Sequence, residues 1–190
     1  MPIRVLGVPG SLRSHSHNLR LLRAAAALLP PDAELVIFSG LKAIPPFDED
    51  DESAPALAVE TWRQAISDAD ALLFATPEYN SSVPGALKNA VDWASRPFTG
   101  AALRNKPAAV IGASTGMFGA VWAQAELRKT LAAAGARVID DELPVGNAQG
   151  AFTLDGTLAE RDQTLKLGEI LSELLGEAAV SAAAAQRAAA

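Results

Sequence analysis

The sequence predicts an α/β protein, a three-layer sandwich in which a five-stranded parallel sheet carries helices on both faces. Three observations lead there. Short apolar runs alternate with segments of helical period along the 190 residues, the pattern of parallel strands joined by crossover helices. The runs are close to continuously apolar, as strands buried on both faces are. The first, third and fourth runs lead into loops of unusual composition, which a sheet ordered 2-1-3-4-5 would gather beyond the carboxyl ends of its strands. Alternation alone does not dictate that order. It is adopted because it makes the three loops neighbours.

The first run (Ile3, Val5, Leu6, Val8) leads into GVPGSLRSHSHN at residues 7–18. Here the hydroxyls of Ser11, Ser14 and Ser16, the Arg13 guanidinium, the Asn18 amide and the N–H groups of a helix's first turn suit a phosphate dianion. The spacing is neither GxGxxG nor GxxxxGK[ST], so dinucleotide and P-loop readings fall away. His15 and His17 lack a third metal ligand in reach and read as exposed loop residues. A helix over 19–29 ends at Pro30-Pro31, and a second strand covers 34–39. Residues 40–54, rich in breakers and acids, read as a long surface loop, with 48–52 a solvated acidic face.

A helix over 55–69 puts Trp62 in the core, and a third strand covers 70–76. In the loop 77–83 and the helix start at Ser82 and Pro84, two prolines and a glycine fix a rigid path whose free backbone groups suit a planar heterocycle, with Tyr79 at its side. The fourth strand, 107–113, runs into the loop 114–119, whose glycines permit close backbone approach to a ligand. A helix over 120–134 ends at Gly135. A fifth strand, 137–140 with 143–145, is interrupted by acids and Pro144, and a last helix over 158–175 ends at Gly176. One domain is expected over 1–176, and the alanine-rich segment 177–190 reads as a frayed or disordered tail.

Composition narrows the function. A net charge of −6 argues against nucleic acid or an anionic membrane as partner. The absence of cysteine removes thiol nucleophiles, disulfides and Cys-held metals, so any redox chemistry belongs to a bound cofactor. No segment reads as a signal peptide or a membrane span, and a cytoplasmic protein is expected.

The three loops together resemble the NADPH-dependent FMN reductase family, which includes quinone and chromate reductases. The matching stretches are GSLRSHSHN (GSxRxxSxN), TPEYNSSVPGALKNAVDW (PEYNxxVPGxLKNAxDW), and GASTGMFG with the AQ and LR of Ala123-Gln124 and Leu127-Arg128. The resemblance spans about residues 3–175. It implies a flavodoxin-like fold holding FMN non-covalently, with NADPH or NADH as co-substrate. By position, Ser11, Arg13, Ser16 and Asn18 would hold the FMN phosphate. Pro77, Glu78, Tyr79 and Asn80 would line the ribityl chain and ring, and Ser114, Thr115 and Gly116 would approach the ring from the other side. Backbone N–H groups at 114–116 would stabilise the reduced flavin. No protein residue is assigned as catalytic and none as a metal ligand, since the flavin carries the chemistry. Hydride from NAD(P)H would pass through FMN to a quinone, free flavin, azo compound or metal oxyanion such as chromate, in a homodimer or homotetramer. The alternatives are a flavodoxin-type electron carrier docking a protein partner, and a non-catalytic phospho-ligand module.

Overall fold

The structure is a computed structural model that describes residues 2–189. Its elements are β1 (Ile3–Pro9), α1 (His17–Leu28), β2 (Ala33–Ile37), α2 (Leu57–Ser67), β3 (Ala71–Thr76), α3 (Gly85–Ala94), β4 (Pro107–Ala113), α4 (Val121–Ala133), β5 (Arg137–Val138), β6 (Pro144–Val145) and α5 (Arg161–Ala189). The sheet runs β2-β1-β3-β4-β5, every pairing parallel, with β6 also on β4. This is the flavodoxin-like order 2-1-3-4-5.

Side-chain alternation divides the core into two layers. Val5, Leu73, Ile111 and their same-face neighbours pack under α1 and α5. Leu6, Val8, Leu72, Phe74 and Val110 point the other way, under α2, α3 and α4. Trp62 is fully buried, and its indole N–H donates to the Ala90 carbonyl at 2.7 Å, tying α2 to α3. Strand β2, expected to be buried on both faces, lies at the sheet edge and is only half-buried.

The expected fifth strand is two short ones. Between them Asp140, Asp141 and Glu142 are drawn outward by cations of the flanking helices: Arg128 of α4 reaches Glu142 at 3.0 Å and Asp140 at 3.8 Å, and Lys166 of α5 reaches Asp141 at 2.6 Å. The ladder resumes where Leu143 accepts from the Gly112 N–H at 3.1 Å. Residues 40–54 are less free than a surface loop. Leu41 and Ile44 are buried, and the Asn89 amide and Trp93 indole both donate to the Pro45 carbonyl, at 2.8 and 2.9 Å. In the acidic stretch beyond, residues 48–51 stay exposed, with Asp48 capping a single 3₁₀ turn, while Glu52 is half-buried and pairs with Arg96 at 3.9 Å.

Helix α5 does not stop at Gly176. A lone glycine inside a helix costs only about 1 kcal/mol. Just past it, Ala178 is buried and Arg137 pairs with Glu177 at 3.3 Å, so packing carries the helix through. Of the expected tail, Ala190 lies outside the described residues.

Candidate functional site

The carboxyl ends of β1, β3 and β4 lie level: Pro9 pairs with Ala75, and Thr76 with Gly112. The loops that follow therefore leave the sheet side by side. They enclose a cavity of about 150 Å³ lined by Ser11, Arg13, Ser16, His17, Asn18, Pro77, Glu78, Tyr79, Ala113, Ser114 and Thr115. Of the predicted site residues, only Asn80 and Gly116 fall outside this lining, each next to a residue within it.

The β1–α1 loop has the chemistry of an anion cradle. Ser16 caps α1, its hydroxyl oxygen accepting from the Leu19 N–H at 3.2 Å, so the helix begins two residues earlier than expected. The N–H groups of Ser16, His17 and Asn18 find no acceptor among the described residues, which is the usual state of a helix start and the reason such starts bind anions. Arg13 is exposed, and its guanidinium is engaged by no described residue. Asn18 acts differently from its neighbours. It is 2 % exposed, and its amide is used twice on one peptide, donating to the Ala113 carbonyl and accepting from the Ala113 N–H, both at 2.9 Å. Its side chain locks the cradle to the end of β4.

After β3 the chain makes a two-residue turn. Tyr79 and Ser82 exchange backbone hydrogen bonds of 3.2 and 3.1 Å across Asn80 and Ser81, whose φ values of 53° and 59° are those of a type I′ turn. The turn presents Tyr79, 54 % exposed, at the rim. Ser82 does not cap α3; Pro84 holds the N-cap position, and the Ser82 hydroxyl instead donates to Glu126 of α4 at 2.6 Å. Glu126 also accepts from the Val83 N–H at 3.3 Å. These two bonds hold the Glu126 carboxyl below the ordinary value, so the anchor is intact above the usual Glu range and is lost as pH falls through the lowered folded value. Glu126→Gln is expected to loosen the turn, read as a several-fold weaker flavin affinity with little change in Tm. Glu78 is likewise committed, accepting from the Ala123 N–H in the first turn of α4 at 3.1 Å, where helix and carboxylate charges are complementary.

In the β4–α4 loop most of the expected ligand approach is used internally. A Cβ on Gly119, whose φ is +58°, would fall 2.3 Å from the Pro144 carbonyl carbon, and one on Gly146 would fall 2.2 Å from the Met117 oxygen. Both glycines let backbone pack on backbone. Of the three N–H groups expected to face a reduced flavin, that of Ser114 donates to Val145 and that of Gly116 to the Ser114 hydroxyl, both at 3.0 Å. Thr115 keeps its N–H free among the described residues. Gln124, buried, bridges this loop to the residue just before β6 by donating to the Gly119 carbonyl at 3.0 Å and accepting from the Leu143 N–H at 3.1 Å. Met117, Phe118 and Trp122 make an exposed apolar rim on the β4–α4 loop and the start of α4, with Phe118 and Trp122 edge to face at 5.1 Å.

Sequence reasoning missed His17, Gln124 and Glu126. The first was read as an exposed loop residue, yet it is the first residue of α1, half-buried and part of the cavity wall. Gln124 stood inside a recognised stretch without a role, and nothing local marked Glu126.

A doubly wound parallel sheet with a polar crevice and an open helix start at the switch between β1 and β3 defines a mononucleotide-binding α/β protein. Residues 3–150 match the family described as NADPH-dependent FMN reductase. The chain is 46% identical over 167 residues to an NAD(P)H-dependent FMN reductase of Pseudomonas aeruginosa, covering 83% of this chain and 85% of that one. It is 43% identical over 128 residues to a 2-hydroxy-1,4-benzoquinone reductase of a Burkholderia species, 67% and 69% of the two chains. Among solved structures, the flavoenzyme NAD(P)H:(acceptor) oxidoreductase FerB of Paracoccus denitrificans superposes with a TM-score of 0.81 at 31% identity, over 93% and 97% of the chains. The chain belongs to the NADPH-dependent FMN reductase family, an enzyme with FMN as cofactor and NAD(P)H as co-substrate. The carrier and phospho-ligand alternatives give way to it. Among the described residues no helix is long and apolar enough to cross a membrane.

Proposed function

We propose that this enzyme takes reducing equivalents from NAD(P)H and delivers them to a quinone or to free flavin. The balance is NAD(P)H, one proton and the quinone in, and NAD(P)⁺ and the hydroquinone out. FMN, when bound, supplies the two-electron relay between donor and acceptor. Everything else is the work of the chain. Ser11, Arg13, the Ser16 hydroxyl proton and the N–H groups of the α1 start hold the phosphate; Asn18 aligns that cradle with β4. Pro77, Glu78 and Tyr79 line one wall for the ribityl chain and ring, with Asn80 next to it and Glu78 positioned by α4. Ser114 and Thr115 form the other wall, with Gly116 next to it, and there the free Thr115 N–H is the donor suited to negative charge on the reduced ring.

The observation that carries this reading is the convergence of the three loops on one cavity that holds an unengaged guanidinium and unpartnered helix-start N–H groups. The names of the relatives favour quinone and flavin acceptors. Azo compounds and chromate are further candidates, since an exposed rim of Tyr79, Met117, Phe118 and Trp122 admits acceptors of varied shape. The test is to incubate the protein with FMN, desalt it, and titrate anaerobically with NADPH. Retained flavin bleached by one equivalent of NADPH and restored by one equivalent of benzoquinone is the expected result; retained flavin that NADPH leaves oxidised rejects the reading.

The proposal includes a homodimer or homotetramer in which a second copy covers the Phe118–Trp122 rim. Light scattering is expected to give at least a dimer mass, and Trp122→Glu, at a residue 49 % exposed in the single chain, is expected to shift it toward the monomer. A monomeric parent protein would dismiss this part.

A further inference from the structure

His17 lines the same cavity as Ser11, Arg13 and Ser114, directly after the Ser16 cap. Its ring lies nearly parallel to that of Phe152, 7° apart with centroids at 6.5 Å. Arg20, one turn along α1, sits 4.4 Å from the centre of the same ring. Phe152 comes from the segment between β6 and α5 and is 8 % exposed, so the imidazole is backed by a fixed aromatic surface.

The two ring nitrogens of His17 are in different surroundings. Nδ1 is closed off from solvent and has no hydrogen-bond partner. Nε2 is not closed off in this way, and His17 is one of the residues lining the cavity. Protonating the ring would place a cationic N–H at Nδ1 with nothing to accept it, which costs more than burying a bare lone pair there. The facing charges act in the same direction. Arg13 comes from the β1–α1 loop and Arg20 from the same helix, while the Phe152 segment and the β4–α4 loop bring an aromatic ring and the hydroxyls of Ser114 and Thr115. Burial first, then Arg13 and Arg20, hold the imidazole below its ordinary value. The form that fits has its proton on Nε2, a directional donor that adds no charge.

Resting on the reading of this crevice as a phosphate cradle, we propose that His17 is a further ligand of the FMN phosphate, donating from Nε2 as a neutral imidazole. Arg13 supplies the charge and His17 a donor fixed in direction by Phe152. The role belongs to this chain's own residues, since the GSxRxxSxN pattern does not specify the position that His17 occupies.

The experiment titrates apoprotein with FMN and with riboflavin, followed by flavin fluorescence, at about pH 6 and about pH 8, either side of the ordinary imidazole value. The proteins are the parent, His17→Phe, which keeps an aromatic ring against Phe152, and Arg13→Ala. His17→Phe is expected to weaken FMN about tenfold at both pH values, the loss of one hydrogen bond to a charged group, and to leave riboflavin unchanged. The ionisation of the ligand's own phosphate cancels when parent and variant are compared at one pH. Unchanged FMN affinity in His17→Phe, alongside a weakened Arg13→Ala, overturns the proposal and leaves the cradle standing. Equal weakening of FMN and riboflavin makes His17 structural and overturns it too. A loss confined to the lower pH overturns the neutral form in favour of the imidazolium. FMN affinity untouched by Arg13→Ala rejects the phosphate reading itself, and this proposal with it.

Discussion

Arg13→Ala is expected to weaken FMN binding by between about tenfold and a few hundredfold while leaving riboflavin binding and the fold almost unchanged. The magnitude follows from the chemistry of the contact. A guanidinium can meet a phosphate through two parallel hydrogen bonds, but in an open crevice water replaces part of what is lost, so the net effect is that of about one bond to a charged group, about 1.5–3 kcal/mol, against about 1.4 kcal/mol per tenfold in affinity. The selectivity follows from the structure: Arg13 is exposed, and its guanidinium is engaged by no described residue, so removing it costs the folded state nothing that can be named. Surface changes of this kind stay within about 0.5 kcal/mol. Turnover at saturating FMN should also persist, since no step of the hydride transfer is assigned to this side chain. Equal affinity of parent and variant for FMN would falsify the cradle. A parallel loss of riboflavin would mean that Arg13 supports the loop and does not meet the phosphate.

How much of this was legible in the sequence depends on how local the controlling interaction is. The centre of the sheet was legible because burial on both faces writes itself into β1, β3 and β4 as continuous apolar runs, and β4 falls on the expected residues, Pro107–Ala113. The loops were legible because their residue types are locally unusual. What was not legible depends on partners far along the chain. The split of the fifth strand is set by Arg128 and Lys166 on two different helices. The anchoring of the Tyr79 turn is set by Glu126, whose bond to Ser82 spans 44 residues. The passage of α5 through Gly176 is set by burial of Ala178 and the pairing of Arg137 with Glu177. In the site itself, residue types picked out most of the polar groups that line the cavity, but the hydrogen bonds they make redistribute the roles. Glu78 and two of the three loop N–H groups at 114–116 turn out to be occupied in holding the walls together.

Asn18 is the clearest case of that redistribution, and Asn18→Ala is the substitution expected to cost the fold most among the site residues. Its amide satisfies both the N–H and the carbonyl of Ala113 in a place with 2 % exposure, 95 residues away in sequence. Alanine leaves a buried donor and a buried acceptor without partners, each costing about 1–3 kcal/mol, so a loss of about 3 kcal/mol in urea unfolding and of about 6–12 °C in Tm is expected. FMN affinity should fall as well, and here riboflavin should fall with it, because what is lost is the registration of the cradle against the β4–α4 loop and not a contact with the phosphate. Asn18→Asp separates the two effects further. A carboxylate can still accept from the Ala113 N–H but cannot donate to the carbonyl, and it sets a negative charge beside the cradle. It should therefore unfold at a denaturant concentration between those of the parent and Asn18→Ala, yet bind FMN more weakly than either. If Asn18→Ala keeps parental stability and loses only FMN, the amide must exchange Ala113 for the phosphate when the cofactor binds, and the cradle would have to be redrawn with Asn18 as a ligand.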